Sequence, residues 1–168
     1  MAAFVPITPV EVSLPDAWHP WDDVDVSAHV PVGATGVILH WYSYALSRLG
    51  LRKNGSSDTF FDYARFANYH GWVAIGIDAN RIFEAYTDSQ EGGIKAWLVG
   101  YTNDEVHFFT NGYDKTDVIT PLTWDDLDCS GEAPPGAGRH FAVLSPPGTQ
   151  PLLIFCFAGK HPSALNLA

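Results

Sequence analysis

Two acidic triplets carry the densest chemical potential in this sequence. Asp22, Asp23 and Asp25 form the first, and Asp125, Asp126 and Asp128 the second. Hard cations take several carboxylate oxygens, and alternate residues of a strand share a face, so calcium is the metal such triplets would suit. A calcium loop, however, spaces its ligands with Gly and Asn, and neither occurs inside these triplets. The stronger reading is structural: Asp ends strands and closes turns through its own side-chain hydrogen bonds. No metal site and no cofactor are expected.

Seven histidines are scattered as His19, His29, His40, His70, His107, His140 and His161. None makes the HxH or HxxxH spacing of a metal site, and a single His on a strand reads as a half-buried aromatic. Ser27 and Ser130 lack the glycines of a nucleophile elbow. Cys129 and Cys156 have no CxxC partner, and two free buried thiols are favoured over a disulfide. Asp78 and Glu84 could be paired as glycosidase carboxylates, yet nothing sets them apart from structural acids. No Gly-rich loop leads into a helix to hold phosphate. The chain is therefore not expected to be an enzyme.

Aromatic side chains are the second class of candidate. Trp18, Trp41, Tyr42, Tyr44, Tyr63, Tyr69 and Trp97 are too many to share one core. Planar rings stack on sugars or anchor protein interfaces. Trp18, Trp41, Tyr44 and Trp97 are the candidates for glycan or partner contact, and an interface is the more economical account.

The chain that must position these residues has 168 of them, enough for one domain or one and a half. Apolar residues are 46% and charged residues only 17%, which excludes a disordered chain. A net charge of −10 argues against a nucleic-acid partner and an anionic membrane surface, both of which need clustered Lys and Arg. Low charge beside so much apolar surface implies burial against other protein. The N-terminus lacks a basic region and an apolar core of signal length, so synthesis in the cytoplasm without a cleaved signal is expected.

An internal repeat organises the chain. The stretch from Trp21 to Ala34 recurs without a gap from Trp124 to Ala137, with Trp, three Asp, Ser, Pro, Gly and Ala coinciding. Three segments follow: an extended N-terminal arm (1–20), a β-sandwich unit (21–116) and a truncated second copy (117–168). Prolines 6, 9 and 15 make residues 4–14 an edge strand or an arm, lying on its own domain or on a neighbouring subunit. Strands are predicted over 21–26, 36–44, 47–53, 94–101 and 106–110. Residues 72–77 and 81–87 are predicted to form a hairpin about Asp78-Ala79-Asn80. Residues 59–70 read as a loop with a little helix. Short strands punctuated by 15 Gly and 12 Pro give an all-β, jelly-roll-like sandwich. In the second copy, strands are predicted over 123–128, 139–145 and 151–159. Leu152 to Ala158 is apolar on both faces and must be covered, by the first unit or by a neighbouring subunit.

Several stretches resemble a repeated β-domain of virion structural proteins in tailed bacteriophages. They are Leu49 to Asp58, Trp72 to Tyr86, Val99-Gly100-Tyr101 and Phe108 to Lys115, together with the opening Trp-Asp-Asp strand and the Pro31-Val32-Gly33-Ala34 turn. The likeness spans residues 21–116, with a weaker partial copy after 123. It implies a virion protein without catalytic residues: a capsid decoration or cement protein, or else a tail, fibre or carbohydrate-binding module. The expected partners are further copies of the chain, as a dimer or trimer, and other virion proteins such as the major capsid protein. The contact elements would be the arm, through Phe4, Val5, Ile7 and Val10, and the C-terminal segment, through Leu152, Ile154, Phe155 and Phe157.

Overall fold

The computed structural model describes residues 3–15, 21–64, 66–88, 93–113, 131–132, 137–143 and 153–158. Its strands are β1 (Phe4–Val12), β2 (Asp22–Asp25), β3 (Gly36–Ser43), β4 (Ser47–Lys53), β5 (Asp62–Ala64), β6 (Tyr69–Gly76), β7 (Ile82–Thr87), β8 (Ile94–Thr102), β9 (Val106–His107), β10 (Ala137–Val143) and β11 (Leu153–Ala158). The described residues are all-β and contain no helix. Two antiparallel four-stranded sheets, β1-β8-β3-β6 and β2-β7-β4-β5, form a β-sandwich.

Pairing runs from the ends of the eight-strand unit towards its middle. β1 pairs with β8, β2 with β7, β3 with β6 and β4 with β5, and the β3–β8 and β4–β7 pairs complete the sheets. From β1 to β8 only the β4–β5 connection stays within a sheet, and each of the other six connections crosses the sandwich. Alternation then decides what meets in the middle. β3 turns Val37, Leu39 and Trp41 inward, β8 contributes Ala96 and Leu98, and β7 contributes Phe83 and Ala85, all at 1% exposure or less. Val24, Val26 and Leu49 complete the core from the facing sheet and its turn.

Side-chain hydrogen bonds hold the crossings. At the β3–β4 corner the hydroxyls of Ser43 and Ser47 lie 2.5 Å apart, so one donates to the other, and both lie within hydrogen-bond distance of the Ala45 carbonyl. Between β6 and β7, Asp78 Oδ1 accepts from the backbone N–H of Asn80 and of Ile82, each at 2.9 Å. Arg81, held at φ 68°, donates through Nη1 to the carbonyls of Ser27 and Val30, which ties the turn after β2 to this one.

That turn corrects the expected hairpin. Asp78-Ala79-Asn80 does turn the chain, but β6 and β7 lie in different sheets and do not pair. Local turn chemistry is the same for a hairpin and for a crossing, and the core decides between them: Phe83 must face β3 and β8, not lie beside Val73. Residues 59–70 hold the short strand β5 and the start of β6 where a little helix was expected. For the N-terminal segment, the sandwich itself supplies the partner. β1 is an edge strand paired to β8, Ile7 packs on the core, and Phe4 lies over Gly100, where any Cβ would meet its ring at 2.2 Å.

The second half of the repeat departs from the first. β3 and β4 sit in different sheets, whereas β10 and β11, at the corresponding repeat positions, pair with each other and then with β9. The described strands of the second copy therefore do not reproduce the connectivity of the first. β11 carries Ile154, Phe155 and Phe157, and the backbone of Phe157 lies opposite Val106. The Trp124–Asp128 echo, Leu152 and the side chains of β11 lie outside what is described.

Truncating a ring wedged between the sheets tests this core. Phe83→Ala is expected to destabilise the chain by about 3–5 kcal/mol, from lost burial plus the cavity left behind. Urea unfolding followed by tryptophan fluorescence reads it. A loss under about 1 kcal/mol would mean that Phe83 does not sit between the two sheets.

Candidate binding face

The two outer faces of the sandwich have opposite characters. On the β2-β7-β4-β5 sheet, charges and rings satisfy one another. Arg52 donates to Glu84 at 2.7 Å and its guanidinium lies 4.2 Å from the ring of Trp21. Arg48 pairs with Asp88 at 2.6 Å. Trp21 lies over Gly50, where only the missing side chain leaves room for it, and stacks on Phe61 at 5.8 Å. Glu84 is thus spent on an arginine, while Asp78 is spent on its turn.

Nor does the acidic triplet converge. Val24 faces the core, so alternation puts Asp22 on that side and Asp23 and Asp25 on the other. Asp25 accepts the Ser27 N–H at 2.7 Å, and this bond holds its carboxyl below the usual carboxylate range. No three His, Cys, Asp or Glu side chains gather among the described residues.

The outer face of the β1-β8-β3-β6 sheet is where side chains converge without closing on themselves. Inward placement of Leu39 and Trp41 obliges His40 and Tyr42 to point outward. Register then sets Trp97 of β8 and Trp72 of β6 on either side of His40. The imidazole lies 5.5 Å from the Trp97 ring and 4.8 Å from the Trp72 ring. Next along the strands, Tyr42 lies opposite His70, with Tyr44 edge-on to it at 4.6 Å. The Tyr42 hydroxyl donates to Oδ1 of Asn68, a residue at φ 61° that asparagine tolerates. Trp72 is 68% exposed and Tyr44 50%. The ion pair of the face, Lys95 with Glu11 at 3.7 Å, lies across β8 and β1, away from β6.

His40 and His70 form a pair that sequence spacing did not reveal. Nε2 of His40 and Nδ1 of His70 are 3.0 Å apart, and the ring planes differ by 4°. Coplanar rings at that distance meet edge to edge through one N–H···N bond, so one ring donates and the other accepts. Burial, and then the charge of His70, push the His40 pKa below its ordinary value.

Of the contact residues expected from sequence, the structure assembles some and removes one. Trp97 and Tyr44 lie on the aromatic face. Trp41 does not: at 1% exposure it fills the core beneath Gly71, because its strand neighbours His40 and Tyr42 occupy the outward positions. Trp18 lies outside the described residues. Trp72, the most exposed tryptophan described, and the two histidines were missed. They are brought together by the β3–β6 register, which no local pattern encodes. No known protein family, curated protein or solved structure matches this chain.

The lowered His40 pKa has a stability consequence with a definite sign. The unfolded chain takes up its proton first, near the ordinary value of 6.5. The contribution of neutral His40 is therefore complete above that pH and is lost as pH falls through it towards the folded value. Imidazole NMR should place the His40 midpoint below that of a free histidine, and His70→Gln should raise it. An unshifted midpoint, or no response to His70→Gln, would break this account of the pair.

Proposed function

We propose that the chain is a non-enzymatic structural protein of a tailed-phage virion. It decorates or cements the head through subunit contacts, and the aromatic face of the β1-β8-β3-β6 sheet is its main contact surface. One observation carries this reading. Both arginines of one outer face are paired with carboxylates, while a charge-poor aromatic row, ending in Trp72, stands open on the other. Interface centres are enriched in aromatic rings and depleted in charge, as this face is. The end-to-middle strand pairing is compatible with a jelly roll, an architecture used by viral capsid and lectin domains, and this support is one of fold analogy. The sequence likeness to phage β-domains points the same way. Many copies on a symmetric shell make individually weak contacts effective together. The partners are further copies of this chain and the major capsid protein.

One observation favours glycan recognition as a second reading. The Trp72 indole stands at the sheet edge against His40, and the same face carries the hydrogen-bonding groups of His70 and of the Tyr42–Asn68 pair, the mixture that sugar sites use.

An antibody against the purified chain, applied to density-gradient fractions of phage lysate, tests the first reading. The chain should sediment with nuclease-resistant particles, and recovery only as free protein would contradict a virion role. Titration with host surface polysaccharides tests the second. Quenching of tryptophan fluorescence that Trp72→Ala abolishes would replace the structural reading with glycan binding, and an unchanged spectrum would remove the glycan reading.

A further inference from the structure

The four edges of the sandwich are not alike. An open edge offers unpaired N–H and C=O groups to any passing strand, and proteins blunt such edges with proline, charge, bulges or short length. β1 carries Pro6 and Pro9 and a register shift between Pro6 and Val10. β2 has four residues, three of them Asp, and β5 has only three residues. β6 has none of these protections. It runs for eight residues, Tyr69-His70-Gly71-Trp72-Val73-Ala74-Ile75-Gly76, without proline, lysine, arginine or a carboxylate. Among the described residues it pairs with β3 alone.

We infer that β6 is a self-pairing edge: two copies of the chain join β6 to β6, antiparallel, about a two-fold axis at Trp72, fusing two four-stranded sheets into one of eight. This rests on the reading of the chain as a homo-oligomeric structural protein and names the contact that builds it. Charge selects the occupant. At a net charge of −10, copies of this chain repel one another over most of their surface. β6 and the outward residues of β3 beside it carry no carboxylate, so this edge is where two copies can approach. A basic partner would find nothing here to pair with.

Register follows from strand geometry. Antiparallel partners share a face, so a two-fold axis between equivalent strands must pass through a residue position. Placed at Trp72, it sets Trp72 against Trp72 of the partner subunit on the outer face and Val73 against the partner's Gly71 on the inner one. Each row of Trp97, His40 and Trp72 then continues into its symmetry mate, and the exposed indole is covered. Placed at Val73, the axis would set Trp72 against Ala74 and leave the two rows out of line.

The test uses the full chain. Light scattering should give a dimer or an assembly with an even number of chains, and a trimer would overturn the pairing. Trp72→Lys places like charges opposite each other and should weaken that association at least about tenfold. At concentrations where the wild type is monomeric the two melting curves should coincide, because the side chain is exposed in the single chain, and where the wild type associates its Tm alone should rise with concentration. A second variant guards against misfolding. In a Cys129→Ser, Cys156→Ser background, Trp72→Cys should oxidise to a disulfide-linked dimer, since directly opposed residues lie within disulfide reach. Ala74→Cys should not, because the two copies of that position would lie about 13 Å apart along the strands. An oligomer that Trp72→Lys leaves intact and Trp72→Cys does not cross-link overturns the β6 edge and leaves the homo-oligomer reading standing. A wild-type chain that stays monomeric at every concentration overturns the β6 edge and the homo-oligomer reading together, and the virion role is then decided by particle sedimentation alone.

Discussion

The pairing of β8 with both β1 and β3 is the contact on which the sandwich depends. Val12 meets Ala96 only if the first strand of the unit meets the last, and Leu39 meets Leu98 only if β3 lies on the other side of that last strand. Those strands are about 90 residues apart, so the pairing closes the longest loop in the unit and must be offset by burial. β8 suits that role. Its inward residues Ile94, Ala96 and Leu98 are buried, while Lys95 and Trp97 stay on the outside. Once β8 is in place, alternation leaves no freedom over which side chains of β3 face outward, and the aromatic row is a consequence of the core.

The two outer faces show what this arrangement makes available. Arg48, Arg52, Asp88 and Glu84 satisfy one another around Trp21 and Tyr86 on one face. Across the sandwich, His40 sits between two indoles and spends a ring nitrogen on His70, which leaves Trp72 and Tyr44 covered on one side only. The contact role proposed above would need such a surface on a rigid sheet. Trp72 and Trp97 lie on strands, and His40 is held by its cross-strand neighbours rather than by a loop.

Fold class was legible because it depends on local period. Alternation through Val37, Leu39 and Trp41, and through Phe83 and Ala85, marks strands whatever their partners. Strand pairing was not legible: the Asp78 turn looks the same in a hairpin and in a crossing, and the chain crosses. The candidate face was half legible. Tyr44 and Trp97 were readable as surplus aromatics, whereas Trp41 falls on the inward phase of β3 with Val37 and Leu39. His40 and His70 stand 30 positions apart, and only the β3–β6 register joins them. The repeat from Trp21 and Trp124 was plain in sequence, yet equivalent segments at β3–β4 and β10–β11 pair differently. A shared opening motif does not fix how the strands after it pair, and the connections that follow it, Tyr44-Ala45-Leu46 and residues 144–152, differ in length and sequence.

Amide hydrogen exchange along β6, followed as protein concentration is raised, tests the central claim most directly. Alternate amides of this strand point away from β3, and in an isolated chain they exchange as fast as an open edge allows. If the edge is where copies join, those amides slow with concentration while the amides of β1 do not change. Exchange on the outer side of β6 that is independent of concentration would contradict the account.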